Sequence, residues 1–340
     1  MSNNLPNYLT ISSVINADLN TSISAINADK IAILVDDNTK KYCLPKLKTS
    51  WDLVIEIKSG EKEKTLTSCE HIWSELTNAG FTRKSLLINL GGGVIGDMGG
   101  FAAATFKRGM AFINIPTTLL SQVDASIGGK LGVDFQGLKN HIGLFQEPNS
   151  VIIYPEFLKT LPERELKSGF AEIVKHTLIR DKIQWEYLLE KSFDSLDWKE
   201  IIPKSIALKN EIVSQDPREK GLRKILNYGH TIGHAIETHF LDTSSHLLHG
   251  EAIVLGMILE NKLGVEAGIL DENSAKEIEK YLEGIYTLPD ALPTLEHLKA
   301  HLVQDKKNDG VGIRFSLIDK IGSCTYDVLI ENEILKKVLK

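Results

Sequence analysis

The chain has 340 residues, 42% of them hydrophobic and 25% charged, a composition that excludes wholesale disorder and collagen-like repetition. Its net charge is −6, from 39 Lys and Arg against 45 Asp and Glu, so it lacks the broad positive field that non-specific nucleic-acid binding needs. Small molecules are the expected partners, and at roughly 150 residues per domain the length predicts two domains.

The first half alternates short apolar runs with helix-like segments. Ile31 to Val35, Trp51 to Ile57, Ser85 to Leu90 and Ala111 to Ile115 read as strands, the βα pattern of a parallel sheet. Near residue 160 the texture changes. Thr160 and Glu163 form a T-x-x-E capping box with Pro162 in the first turn, and a long helical stretch is expected to follow. Helical apolar spacing then runs over Lys167 to Arg180, Trp198 to Val213, Ile225 to Phe240 and Glu251 to Ala267, with Ile313 to Leu317 as a late strand. The expected architecture is a parallel-sheet α/β nucleotide-binding domain over 1–160 and a mostly helical metal- and substrate-binding domain over 161–340. The three cysteines, Cys43, Cys69 and Cys324, are far apart and form no C-x-x-C pair, which fits a reducing compartment. With neither an export signal nor an apolar run long enough to span a membrane, a cytoplasmic location is expected.

Several constellations could carry chemistry. Gly91-Gly92-Gly93-Val94-Ile95-Gly96-Asp97 follows a predicted strand and contains G-x-G-x-x-G at Gly91, Gly93 and Gly96; glycines there let backbone N–H groups approach a pyrophosphate. The acidic residue that usually holds the ribose, about 20 residues further on, is missing. Asp36, with Asn38 close behind, is an upstream alternative at the end of its own predicted strand. Histidine is clustered: His230, His234, His239, His246 and His249 fall in one short window. His230 and His234, four apart on a helix, face one way and suit Zn²⁺, whereas Thr231 stands where a metalloprotease would carry its general base. Glu172, Lys175 and His176 share a face of a helix whose interior is otherwise apolar. That pairing is a solvated surface or a site, since burying it without a ligand would be costly. Cations recur beside glycines and turns at Lys107-Arg108, Lys130, Lys139, Lys209, Arg223 and Lys306-Lys307, and together they would suit a doubly anionic substrate.

Read together, these segments resemble the 3-dehydroquinate synthases of the sugar phosphate cyclase family, from about Ala32 to Leu317. The resemblance rests on Gly91 to Asp97, Pro116-Thr117-Thr118-Leu119-Leu120, Val123 to Lys130, Leu161-Pro162-Glu163-Arg164-Glu165, Ala171-Glu172, Leu226-Asn227-Tyr228-Gly229-His230 with His234, and Leu248-His249-Gly250-Glu251. It implies a lyase, a homodimer in the family, that converts 3-deoxy-D-arabino-heptulosonate 7-phosphate into 3-dehydroquinate and phosphate, the second step of the shikimate pathway to chorismate and the aromatic amino acids. NAD oxidises C5 transiently, phosphate is eliminated, the hydride returns, and an intramolecular aldol step closes the ring.

The family's metal ligands match Glu172, His230 and His249, which moves His234 from the metal to the substrate and keeps His246 as the reserve third histidine; Zn²⁺ is implied, with Co²⁺ as an alternative. The family's NAD residues match Asp36, Asn38, Glu61, Lys64, Gly92, Gly93, Val94, Asp97, Thr117, Thr118, Phe157, Thr160, Leu161 and Glu165, with Lys130 and Lys139 beside them. Its substrate residues match Arg108, Asp124, Lys130, Lys139, Asn140, Lys175, Lys209, Arg223, Asn227, His234 and one of Lys306 and Lys307. The site is implied to lie between the two domains. One departure is Lys130-Leu131-Gly132-Val133-Asp134-Phe135, where many members read Lys-Thr-Ala-Val-Asn. Two rival readings remain: a metal-dependent polyol dehydrogenase, which would consume NAD stoichiometrically, and a non-catalytic nucleotide-binding protein, which would not need the cation set.

Overall fold

The computed structural model describes residues 5–241, 243, 246–289, 292–304 and 312–340. The chain divides into two compact units, the first ending at Pro162 and the second beginning at Glu163. Among the described residues no helix is long and apolar enough to cross a membrane.

The first unit is built on a six-stranded sheet of β1 (Leu9–Ile11), β2 (Ile31–Asp36), β3 (Leu53–Ile57), β4 (Leu86–Gly91), β5 (Ala111–Pro116) and β8 (Ser150–Ile153), with an antiparallel hairpin of β6 (Lys130–Phe135) and β7 (Leu138–Phe145) apart from it. The sheet order is β1-β8-β5-β4-β2-β3 and its pairings are parallel. Helices α1 (Ile15–Ile26), α2 (Asp37–Tyr42), α3 (Leu66–Asn78) and α4 (Gly93–Thr105) accompany it. Strand β2 shows why the predicted runs are unbroken rather than alternating. Ala32 and Leu34 pack with α3 and α4 side chains, while Ile33 and Val35 pack with α1 on the opposite face, so both faces must be apolar. The sequence reading missed β1 and β8, which are only a few residues long, and the β6–β7 hairpin. That hairpin turns on Gln136 and Gly137, both with positive φ (52° and 78°), as a two-residue turn between twisted strands requires.

The second unit contains α5 (Glu163–Arg180), α6 (Lys182–Leu189), α7 (Trp198–Gln215), α8 (His230–Phe240), α9 (His249–Glu266), α10 (Glu272–Glu283), α11 (Leu295–Gln304), the antiparallel pair β9 (Gly312–Lys320) and β10 (Ser323–Glu331), and α12 (Asn332–Val338). Its core joins Ile232 and Ile236 of α8 to Leu255, Leu259 and Leu263 of α9 and to Phe315 of β9.

Two expectations need correction. The single helix over 225–240 is broken: Leu222–Asn227 is a 3₁₀ turn and Gly229 takes φ 78°, so α8 begins only at His230. The break follows from close packing, because a Cβ on Gly229 would meet Met257 Cγ at 2.6 Å. Thr160 closes a 3₁₀ turn over Pro155–Thr160, where its hydroxyl donates to the Phe157 carbonyl at 3.1 Å; α5 takes over at Glu163, so the predicted box is not the helix start.

Candidate active site

In the first unit the connection from β2 to β3 carries Cys43 and Leu47 on one face of the sheet, whereas α4, which leaves β4 for β5, carries Met98 and Phe101 on the other. The crevice beyond the carboxyl ends of β2 and β4 is therefore the switch point at which parallel sheets bind nucleotides. Gly91 ends β4 and Gly92 caps α4. These glycines do not need left-handed backbone; they keep a surface bare. A Cβ at Gly91 would lie 2.4 Å from Ile95 Cβ, and one at Gly92 would lie 3.1 Å from Thr118 Cγ2. Gly92, Gly93, Asp97 and Ser126 line a small pocket with Asn89 and Asn114 behind them. The first N–H groups of α4 and its positive dipole end suit a pyrophosphate there.

Beside this cradle lies a charged network. Lys64 is 4% exposed, and its Nζ donates to Asp97 Oδ2 at 2.7 Å and to Asn140 Oδ1 at 2.6 Å. Burial opposes its charge, but Asp97, then Glu61, outweigh that and hold the ammonium well above its ordinary value. Asp134, which sequence reasoning did not select, accepts from the Asn140 N–H at 2.7 Å and donates its own N–H to the Lys64 carbonyl at 2.9 Å. Burial raises its carboxyl. Lys139 Nζ reaches Glu61 Oε1 at 3.5 Å.

In the second unit α5, α8 and the start of α9 bring four side chains together. Glu172 is fully buried on α5. His230 Nε2 lies 3.4 Å and His249 Nε2 3.6 Å from the same atom, Glu172 Oε1, and Lys175 Nζ pairs with Oε2. Nitrogens of His230, His234 and His249 also lie within 4.8 Å of one another, so His234 borders the group from one helical turn along α8. Burial, then Lys175, hold the His230 ring well below its ordinary pKa, which keeps it in the neutral form that binds metals. For His249 burial acts the same way, but Glu237 and Glu172 outweigh it and push the ring up to about 10. Two buried carboxylates on one imidazole favour a positive charge at that point, and the donor set of two imidazoles and a carboxylate is one that Zn²⁺ or Co²⁺ accepts. The reserve candidate is set aside: His246 is exposed and outside this group, although its carbonyl accepts from Arg164 Nη2 at 2.8 Å. His239 packs against Phe240 and His297 instead.

Residues 54–168 match the 3-dehydroquinate synthase N-terminal family and residues 169–308 the 3-dehydroquinate synthase C-terminal family. The chain belongs to the 3-dehydroquinate synthase family. The 3-dehydroquinate synthase of Sulfurovum sp. (strain NBC37-1) is 44% identical over 321 residues, covering 92% of this chain and 90% of that one. Among solved structures, a 2-deoxy-scyllo-inosose synthase complexed with carbaglucose-6-phosphate, NAD⁺ and Co²⁺ superposes with a TM-score of 0.85 at 26% identity over 97% of this chain and 95% of that chain. The 2-epi-5-epi-valiolone synthase of Streptomyces hygroscopicus subsp. jinggangensis 5008, with NAD⁺ and Zn²⁺ bound, gives 0.83 at 25% identity over 97% and 94%.

The 3-dehydroquinate synthase positions fall into ordered groups. Asp36 ends β2 and Asn38 follows it, Glu61 and Lys64 follow β3, Gly92, Gly93, Val94 and Asp97 follow β4, Thr117 and Thr118 follow β5, and Phe157, Thr160 and Leu161 follow β8, so all lie at or past the carboxyl ends of parallel strands. Asp36 also caps α2, accepting from the Thr39 N–H at 2.7 Å. Lys130 and Lys139 lie on the hairpin and Asp124 in the turn before it, while Glu165 lies on α5. Lys175, Lys209 and Arg223 are buried cations of the second unit, at 2%, 6% and 2% exposure; Arg223 Nη1 donates to the Pro217 carbonyl and Asn227 Nδ2 to Glu219 Oε1, both at 2.7 Å. Arg108 is not near the glycine cradle. It follows the other end of α4, whose 13 residues span about 20 Å, and it is exposed with φ 69°. Lys306 and Lys307 lie outside the described residues. Sequence reasoning also missed Glu237 and Glu260. The signals were present: Glu237 lies two turns from His230 on α8, and Glu260 is an acid in the apolar interior of α9.

Proposed function

We propose that the chain converts 3-deoxy-D-arabino-heptulosonate 7-phosphate into 3-dehydroquinate and phosphate as a cytoplasmic homodimeric lyase using NAD⁺ and Zn²⁺. The observation that carries this reading is the convergence of His230 Nε2 and His249 Nε2 on the buried Glu172 Oε1 in a chain of this family. In the reading, Glu172, His230 and His249 hold the metal, and the bare rim at Gly92 and Gly93 with Asp36, Lys64 and Asp97 holds NAD. When bound, the metal polarises the C5 oxygen and NAD supplies reversible oxidation at that carbon.

The chain's own residues do the rest. Lys175, Lys209 and Arg223 are cations already removed from water, so an anionic substrate replaces hydration they have lost and binds through charge-assisted hydrogen bonds. Lys130, Lys139, Asn140, Arg108, Asp124, Asn227 and one of Lys306 and Lys307 complete the substrate set. His234 carries an imidazole beside the ligand group and is assigned to the substrate, where its ring nitrogen can hold or release a proton. Lys64, fixed by Asp97 and Asn140, orders the nucleotide rim.

The test is phosphate release from the heptulosonate phosphate by the purified chain with NAD⁺ and Zn²⁺. Glu172→Ala and His249→Ala should lose bound zinc and activity, whereas His234→Ala should lose activity and keep zinc. Zinc lost with His234→Ala and kept with Glu172→Ala would replace the carboxylate by the third imidazole in the ligand set. Neutral replacement of Lys175, Lys209 or Arg223 should each lower kcat/KM at least about tenfold; unchanged kinetics in two of these variants would remove the anion site.

A further inference from the structure

Both imidazoles that face Glu172 have their other nitrogen engaged, but by different partners. His230 Nδ1 lies 3.1 Å from the Tyr228 carbonyl oxygen, and His249 Nδ1 lies 3.3 Å from Glu237 Oε2. Both partners are oxygen acceptors, a backbone carbonyl for His230 and a side-chain carboxylate for His249. Each Nδ1 is therefore the donor, and each Nε2 is the nitrogen on the Glu172 Oε1 side, the one that would give its lone pair to a metal held there. The supports differ in charge. The carbonyl on His230 is neutral, whereas Glu237 is a carboxylate only 5% exposed, carried on the same helix as His230 and directed at the first residue of α9.

The backbone does not by itself set the His249 ring. The Leu248 N–H is held by Glu251 Oε2 at 2.8 Å and the Gly250 N–H by Ser168 Oγ at 2.9 Å, which fixes the chain on both sides of His249 but leaves its side-chain torsions open. Glu237 is the contact that chooses which ring nitrogen faces Glu172. We propose that Glu237 is a positioning residue of the metal site: it holds His249 with Nε2 directed at the metal position and, as a carboxylate, makes His249 the stronger donor of the two imidazoles. The inference rests on the metal reading above and extends it to a residue that touches neither substrate nor metal.

The experiment measures Zn²⁺ affinity of the metal-free full-length protein by chelator competition for wild type, Glu237→Ala and Glu237→Gln. NAD⁺ affinity and the unfolding midpoint in excess chelator serve as controls for the fold. Second-sphere carboxylates of this kind typically contribute 10- to 100-fold in metal affinity, so Glu237→Ala should weaken Zn²⁺ binding by about that factor while both controls stay near wild type. Glu237→Gln, whose amide oxygen can accept the same hydrogen bond without the charge, should fall between the two. With Co²⁺ as the probe, the visible absorption of the Glu237→Ala complex should shift as the ring loses its fixed orientation. Zinc affinity and cobalt spectrum equal to wild type in Glu237→Ala would overturn the inference and leave the metal reading intact. If Glu237→Ala does not fold, wild-type affinity in Glu237→Gln overturns it equally. Failure of the wild-type protein itself to bind Zn²⁺ or Co²⁺ would overturn the metal reading first.

Discussion

Cys43 gives the clearest link between a single buried atom and a bulk measurement. The residue is 4% exposed, beside the apolar cluster of Ile33, Val35 and Leu86, and burial pushes its thiol from an ordinary 9.0 up to about 11. Between those values the unfolded chain loses the proton first, so the folded state binds more protons and its stability falls as pH rises, by about 1.4 kcal/mol per pH unit for this one group. The contribution is fully present below the unfolded value and gone above the folded one. Urea unfolding of wild type and Cys43→Ala at a series of pH values should therefore show the stability difference narrowing as pH passes from 9 to 11. A constant difference would mean that the thiol is better hydrated than its burial indicates. At this scale the sequence was informative where chemistry is concentrated, as in the histidine window. It was less informative where one carboxylate acts through space: the helical spacing of Glu237 from His230 and the apolar neighbours of Glu260 mark both acids as inward-facing, but not which groups they meet.

Helix α8 is placed by backbone proximity as much as by side chains. A Cβ on Gly256 of α9 would lie 1.8 Å from the Gly229 carbonyl oxygen, and one on Gly233 would lie 2.8 Å from Ile253 Cδ1. Glu260, fully buried, accepts from the Gly229 N–H at 2.6 Å and the Ile232 N–H at 3.1 Å, so it satisfies orphan donors at the start of the helix that carries His230. In an ordinary helix interior Gly→Ala stabilises by roughly 0.5–1 kcal/mol, but Gly256→Ala must push backbone from backbone. It should destabilise by about 3 kcal/mol or more and lower zinc content along with the thermal midpoint. A Gly256→Ala protein at least as stable as wild type would show that the two helices can separate without loss. The same contact explains what the sequence concealed. Apolar spacing alone runs on through Ile225 to Phe240, and only the tertiary approach of α9 requires the left-handed Gly229 that ends the 3₁₀ turn. Strands β2, β4 and β5 were legible because helices cover both their faces and force continuous apolar runs, while β3 at the sheet edge was marked by Leu53, Ile55 and Ile57 on its one core face. The β6–β7 hairpin was not, since β7 has no buried residue to mark an inward face and its sequence carries Lys139 and Asn140, the residues proposed for the substrate.

At the scale of the whole chain, the discriminating property is how NAD⁺ is used, because a dehydrogenase would consume it and a synthase would not. If oxidation at C5 serves only to make the adjacent proton acidic, the hydride must return to the same carbon within one turnover and no net NADH can form. Phosphate should then appear in large molar excess over the NAD⁺ supplied, with absorbance in the reduced-nicotinamide band flat apart from an enzyme-bound fraction. A substrate analogue with a carbon-linked phosphonate cannot eliminate, so it should hold the enzyme at the oxidised-substrate stage and show bound NADH. Removing the metal by chelation should abolish both signals and leave NAD⁺ binding in place, since the glycine cradle and the metal ligands belong to different units. NADH accumulating one for one with substrate consumed, without phosphate release, would refute the synthase reading and leave the dehydrogenase in its place.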